Sequence, residues 1–397
     1  MQMWSLHPEC ENIIESSWNI PVVGCPMFVL SKKLKNLKLV LKEWNKETFG
    51  NVQDNVRKAE DALNQIQMQI VSLGYSDALS NQEKIAQTNL DLALQMEEVF
   101  WKGKSRVKWH AEGDRNTKYF HRVAKMKNST KLISSLRHDN TIITDQEQIA
   151  DHIVNHYTNL FSSFSVLQDS SLIQNSIPQL VTEQANNLLT MIPSEEEIYN
   201  VVINLNRDSA PGPDGFGAFF YHTYWGIIKK EVISAVLQFF TDGWILPNFN
   251  SNTLVLIPKN TSADTVDQFR PIAIANFKHK IITKVLADRL AKILPNIVSQ
   301  EQRAFIHGRN IKDCICLTSE AINLMQAKAY GGNLAMKVDI AKAFDTLDWK
   351  FLINVLRSFG FSNVFCDWIL VILKSASISV SVNGKQRGYF HCKRGVR

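Results

Sequence analysis

The chain has 397 residues, 45% of them apolar and 21% charged, with a formal net charge of +6; this composition fits a globular protein of two or three domains with a substantial core. No apolar run approaches the roughly 20 residues that span a bilayer, Trp368–Leu373 being typical of the longest. The start, Met1–Pro8, lacks the basic-then-apolar order of a secretion signal, so an intracellular protein without a membrane partner is expected.

In chain order, Pro21 and Pro26 argue against a long helix in the first thirty residues. From Ser31 the pattern turns helical, with Leu34, Leu37, Leu41 and Trp44 at spacings of three and four and lysines around them. Further periodic runs cover Val56–Ile70 and Gln82–Phe100, and together these segments predict long antiparallel helices lying outside a compact enzyme core. Between Trp101 and Lys131 stand ten Lys or Arg against Glu112 and Asp114, a local +8 that exceeds the excess of the whole chain. Such a patch attracts a phosphate backbone, and the interleaved Trp101, Trp109, Tyr119 and Phe120 can stack on bases. An amphipathic segment with its aromatics in a core and its lysines merely solvated fits the same residues equally well.

Thr144–Glu147 reads as a helix start of the capping-box type, the helix carrying Ile149, Ile153, Tyr157 and Phe161 on one side. His152 and His156 share a face of it at i, i+4. No glutamate lies between them, as a metalloprotease helix would require, so a surface helix is expected. Ser162–Gln179 is rich in Ser, Asn and Gln and is the best linker candidate. Pro193-Ser-Glu-Glu-Glu-Ile opens a new unit with acids in the first helical turn.

Beyond Val201, helical runs near 219–242, 279–294 and 312–328 alternate with β-rich pieces at Thr253–Ile257, Leu334–Val338 and Ile378–Val382. Asn383-Gly384 predicts a tight hairpin, and Gly360 a helix stop. The six cysteines, Cys314 and Cys316 among them, show neither disulfide nor zinc spacing, and buried reduced thiols are expected.

Four blocks carry chemistry. Ser209-Ala-Pro-Gly-Pro-Asp-Gly-Phe216 is a turn-rich loop before a helix. Leu254–Lys259 is a strand ended by proline with a lysine at its tip. Phe269–Ile274 follows, with Arg270 near its start; a lysine and an arginine on neighbouring strand ends can neutralise triphosphate oxygens. The fourth, Asp339-Ile-Ala-Lys-Ala-Phe344-Asp345 behind the apolar Leu334–Val338, places a carboxylate at the end of an expected strand and an aromatic five positions on. Phosphoryl transfer asks a protein chiefly for positioning and charge neutralisation, and magnesium takes carboxylate and phosphate oxygens. Each block alone also reads as ordinary loop, solvated strand end or helix cap.

In this order, and with Gln302-Arg-Ala-Phe-Ile-His-Gly-Arg-Asn310, the blocks resemble the reverse transcriptase of LINE-type non-LTR retrotransposons, especially those of plant genomes. Trp101–Trp109 and Glu112–His121 are similar to that family's connector. The resemblance implies an α+β fold, a helical N-terminal connector followed by the fingers and an incomplete palm of a right-hand polymerase. It divides the chain into an endonuclease-module tail and helical linker over 1–100, a basic connector over 101–190, and a reverse-transcriptase domain over 191–397 with its core at about 250–397.

Carried over to this sequence, the resemblance makes Asp339 a catalytic, magnesium-binding aspartate with the Ile340 carbonyl beside it. Phe344 becomes the aromatic gate against a ribose 2′-hydroxyl, and Lys259 and Arg270 become contacts to the incoming triphosphate. Arg309 is implied to touch template or primer, and Lys104, Arg106, Lys108 and Trp109 to form a nucleic-acid surface. The implied activity is RNA-directed DNA synthesis from deoxynucleoside triphosphates, on an RNA template with a DNA primer and a two-magnesium site; nuclear action is implied by the family alone.

The sequence contains no Asp-Asp dipeptide, nor the family's Gln-Gly-Asp-Pro turn, thumb or endonuclease site. The two-metal site is therefore expected to be incomplete, the isolated chain inactive, and the strand before Asp339 left as an edge. The alternative is a non-catalytic RNA-binding remnant of a retroelement.

Overall fold

The computed structural model describes residues 2–105, 117–129, 132–139, 141–162, 171–325, 327 and 330–396. The N-terminal part runs through α1 (Glu9–Trp18), α2 (Pro26–Trp44), α3 (Val52–Leu73), α4 (Asp77–Ser105) and α5 (Thr117–Ser129). A small hairpin, β1 (Leu136–His138) with β2 (Thr141–Ile143), leads into α6 (Gln146–Ser162). Next come α7 (Leu172–Ser176), α8 (Glu183–Thr190), α9 (Glu195–Asn204), α10 (Ala218–Thr223) and α11 (Trp225–Asp242). The C-terminal part adds β3 (Ser251–Pro258), β4 (Phe269–Ala275), α12 (Phe277–Ile297) and α13 (Ile311–Leu324). It closes with α14 (Ala343–Thr346), α15 (Trp349–Phe359), α16 (Asn363–Lys374), β5 (Ser377–Val382) and β6 (Lys385–His391).

The main sheet has the order β4-β3-β5-β6. β3 is antiparallel to β4 and parallel to β5, and β5 turns back into β6 through Asn383-Gly384, both at positive φ as a tight hairpin demands. Alternation along the strands sends Leu254, Leu256, Phe269, Ile378 and Val380 to one face. There α6 lays Ile149, Ile153, Tyr157 and Phe161 against them. The helix starts as expected, but its cap is Asp145, whose Oδ1 accepts from the backbone N–H groups of Glu147 and Gln148. Its carboxylate is one residue closer than Thr144 to the first turn's unpaired donors.

A second core is mainly helical. Leu34 and Leu37 of α2, Ile198 and Val202 of α9, Val232 and Phe239 of α11, Ile281 and Val285 of α12, and Phe365 of α16 meet in it. Thus α2 does not stand outside the enzyme core: its leucine stripe fits the groove of α11. Polar contacts fix the register, with Lys33 Nζ 2.5 Å from Glu231 and the Met27 N–H on the Gln238 side chain at 2.9 Å. Deeper still, the Arg289 guanidinium grips Glu197 at 2.8 and 2.7 Å and donates to the carbonyls of Leu189 and Met191. Helices α3 and α4, joined by three residues, keep the form of a long helical hairpin.

Ser194 caps α9 and Gly360 ends α15 in the left-handed conformation, both as the sequence predicts. Two expectations fail. Cys314 is half-buried and Cys316 exposed, while Cys10, Cys366 and Cys392 are buried; all six are free. And 333–340 forms no strand. Leu334, Met336, Val338 and Ile340 lie exposed, Leu334 and Val338 at 85%. Strand geometry needs a neighbour's backbone as much as an alternating pattern, and this segment is paired with none of the described strands.

Candidate functional site

The β3–β4 hairpin positions the two expected phosphate contacts. Ile257 lies opposite Arg270, and beyond it the Lys259 N–H donates to the Gln268 carbonyl at 2.8 Å. Lys259 is two residues from Ile257, so it leaves the sheet on the same face as Arg270. This is the face away from α6. It carries the half-exposed Ile257 and Ile272 and a row of polar side chains in which Thr253 meets Ser379 at 3.3 Å and Gln386 at 3.0 Å. Both cations are exposed.

The Ser209–Phe216 loop braces the base of this hairpin. Its Asp214 N–H donates to the Asn276 side chain at 3.0 Å, and the Phe216 N–H to Asp214 Oδ1 at 3.1 Å. Gly212 is required here, because a Cβ would stand 2.5 Å from the Asn276 backbone nitrogen. Burial pushes the Asp214 carboxyl up, opposed by the nearby Lys278; burial pushes the Lys278 ammonium down, and holds His279 at about 3. The Lys278 ammonium donates to Ser31 of α2 at 2.9 Å, tying the N-terminal helices to the same corner.

Asp339 and Ile340 lie on the exposed stretch before α14, which corrects the expectation that Asp339 ends a strand. Phe344, on the four-residue α14, is exposed. Its carbonyl accepts from the Val396 N–H at 2.8 Å, and Trp349 Nε1 donates to the Gly395 carbonyl at 2.6 Å. Gly395 sits at φ +80, with space for a Cβ closed by the Asp345 carbonyl at 2.8 Å. Residues 395–396 therefore brace the turn that carries the aromatic ring. Asp345 is buried.

The hairpin and the aspartate-bearing loop meet at a residue that the sequence motifs pass over. Lys259 Nζ donates to the Asp267 backbone carbonyl at 2.7 Å, and Lys342 Nζ reaches Asp267 Oδ1 at 2.7 Å. His156 Nε2 of α6 stands 3.8 Å from the same oxygen. The hydrogen bond from Lys342 holds the Asp267 carboxyl below the usual range, while burial pushes His156 down despite Asp267. Lys342 itself sits at φ +52, a left-handed conformation uncommon for a residue with a Cβ. Asp267 shares its hairpin loop with Asp264, and Lys342 stands inside the Asp-to-Phe spacing, so neither carries a sequence signal of its own.

Arg309 is engaged elsewhere: its guanidinium donates to the carbonyls of Pro295, Val298, Ser299 and Gln302 at 2.5–3.0 Å, closing the end of α12. Lys104 lies over the rings of Phe100 and Trp101 at 4.0 and 5.1 Å. Arg106, Lys108 and Trp109 lie outside the described residues. His152 packs its ring 4.4 Å from His138, and no group of three or more His, Cys, Asp or Glu side chains gathers among the described residues.

Residues 257–397 match a family model described as reverse transcriptase (RNA-dependent DNA polymerase). The chain is similar to the transposon TX1 uncharacterized 149 kDa protein of Xenopus laevis, 26% identical over 297 residues, which is 74% of this chain and 22% of that protein. It is also similar to the retrovirus-related Pol polyprotein from type-1 retrotransposable element R2 of Nasonia vitripennis, 25% identical over 48% of this chain and 18% of that protein. The corresponding R2 polyprotein of Popillia japonica is 24% identical over 52% of this chain and 28% of its own length. The chain thus spans between about a sixth and a third of these relatives. The order of blocks, the matched domain and the retrotransposon relatives agree in what they support, a likeness to the reverse transcriptases of non-LTR retrotransposons.

Proposed function

We propose that this chain supplies the nucleotide-receiving side of an RNA-directed DNA polymerase, which moves deoxynucleotides from their triphosphates onto a DNA primer along an RNA template. The observation that carries the reading is the meeting at Asp267: within the hairpin its carbonyl takes Lys259 at 2.7 Å, and its carboxylate takes Lys342, from the loop bearing Asp339 and Phe344, at 2.7 Å. Segments far apart in sequence are thereby brought together, which supports the reading that one triphosphate contacts both.

In this reading Lys259 and Arg270 neutralise phosphate oxygens, the arginine in a two-pronged fashion. Asp339 and the Ile340 carbonyl hold magnesium, and Phe344 crowds a ribose 2′-hydroxyl. Magnesium, when bound, neutralises charge on the transferring phosphoryl group. The division into helical connector, fingers and part of a palm belongs to the same proposal. So does the basic 101–131 stretch as a surface for RNA, and a template contact for Arg309 if its carbonyl partners are exchanged for phosphate.

Equilibrium binding of a deoxynucleoside triphosphate with magnesium tests the reading on the 397-residue polypeptide. Lys259→Ala and Arg270→Ala should each weaken binding about tenfold, the worth of a charge-assisted hydrogen bond. Phe344→Ala should narrow the preference over the ribonucleotide. Unchanged affinity in both cation variants would overturn it.

A further inference from the structure

We propose that Asp267 is a built-in stand-in for phosphate, and that Lys342 is a third cation of the triphosphate site, released when the incoming polyphosphate displaces that carboxylate. The proposal rests on the reading of Lys259 and Arg270 given above, and adds two residues and an exchange to it.

Three observations carry it. Lys259 and Lys342 come from segments more than eighty residues apart, yet both ammonium groups converge on one residue at 2.7 Å, one on its carbonyl and one on its carboxylate. A carboxylate and a phosphate offer an ammonium the same acceptor geometry and sign, so the position that attracts Asp267 Oδ1 also attracts a phosphate oxygen. Second, Lys342 occupies a left-handed backbone conformation at φ +52 between Asp339 and Phe344. Such a conformation persists where surroundings over-determine it, and here it sets the ammonium toward the hairpin rather than leaving it to solvent. Third, the pair is accessible: side-chain exposure is 44% for Lys342 and 65% for Asp267. An exposed pair of this kind is weak and screened by salt, so a triphosphate, with several negative oxygens, displaces a single carboxylate readily. The neighbouring acid Asp264 is already paired with Arg137 at 2.9 Å and does not take over the role. Without nucleotide, the contact holds the aspartate-bearing loop against the hairpin; with nucleotide, the phosphates form the bridge.

The test is a double-mutant cycle read by calorimetric binding of inorganic tripolyphosphate, and of a deoxynucleoside triphosphate with magnesium, at fixed ionic strength. Asp267→Asn should tighten binding about fivefold, the scale of an exposed ion pair, and Lys342→Ala should weaken it by a similar factor. In the double variant the gain from Asp267→Asn should largely vanish, because the carboxylate competes for Lys342. An equal gain from Asp267→Asn with and without Lys342 would overturn the proposal, since it would reduce Asp267 to a distant repulsive charge. So would unchanged affinity in Lys342→Ala alongside a loss in Lys259→Ala, which leaves the parent reading standing. Unchanged binding in Lys259→Ala and Arg270→Ala would instead remove the site itself. Melting temperatures equal to that of the unmodified chain verify that each variant folds.

Discussion

Helices α12 and α13 are alike in sequence texture and opposite in fate. Both are amphipathic, yet α12 buries Ile281, Ile282, Val285 and Leu286 in the helical core, while α13 buries none of its residues. Ile315, Leu317, Ile322 and Leu324 stay 57–68% exposed, and the apolar stretch after them, through Leu334 and Val338 to Ile340, is exposed as well. Periodicity states which face seeks burial; a partner surface decides whether it is buried. The proposed triphosphate contacts, Lys259 and Arg270, extend from the packed region, and Asp339 from the unpacked one.

Breaking the packed side should cost most. Arg289→Ala removes a guanidinium that is 6% exposed and leaves the Leu189 and Met191 carbonyls and the partly buried Glu197 without their donor, and denaturant unfolding should show a loss of about 3–5 kcal/mol. Ile282→Ala, in the centre of the same core, should cost about 2–5 kcal/mol in the same measurement.

Acid should act next. Burial holds His279 at about 3 in the fold, far below its unfolded value. The unfolded chain therefore binds the extra proton as pH drops below about 6.5, and stability that is fully present above that pH is lost on the way down, by up to about 1.4 kcal/mol per unit. His152 and His156, also lowered, add in the same direction, whereas the raised Asp214 carboxyl acts oppositely at lower pH. His279→Gln should flatten the slope between pH 6.5 and 5 by one proton's worth, read from unfolding midpoints across that range.

On the unpacked side the effect should be smallest. Ile315→Ala and Leu334→Ser should each change unfolding free energy by less than about 0.5 kcal/mol. A loss of 2 kcal/mol or more at either position would show that α13 and the stretch after it are packed in solution, and the contrast with α12 would fall.

Much of the framework was legible because its signals are local. The leucine stripe of α2, the Ser194 cap, the Gly360 stop and the Asn383-Gly384 turn all appear where the sequence puts them. Where partners decide, the sequence misleads: 334–338 has the alternation of a strand without a neighbour, and α2 joins a core that its own residues do not announce. The site divides the same way. The strand-end positions of Lys259 and Arg270 are readable from a strand ended by proline and the strand that pairs with it. Asp267 and Lys342 become visible only when the hairpin and the aspartate-bearing loop are brought to 2.7 Å. Arg309 shows the converse, a motif arginine whose donors meet four carbonyls at the end of α12.

The most direct test of the account is primer extension on an RNA template with magnesium, using residues 1–397 continued into a palm segment that carries an Asp-Asp hairpin, with and without Asp339→Ala. Deoxynucleotide incorporation is predicted from the continued polypeptide and not from the 397 residues alone, and Asp339→Ala should lower it about 100- to 1000-fold or more, as loss of a key charge-stabilising group does. Incorporation that proceeds undiminished in Asp339→Ala would contradict the account.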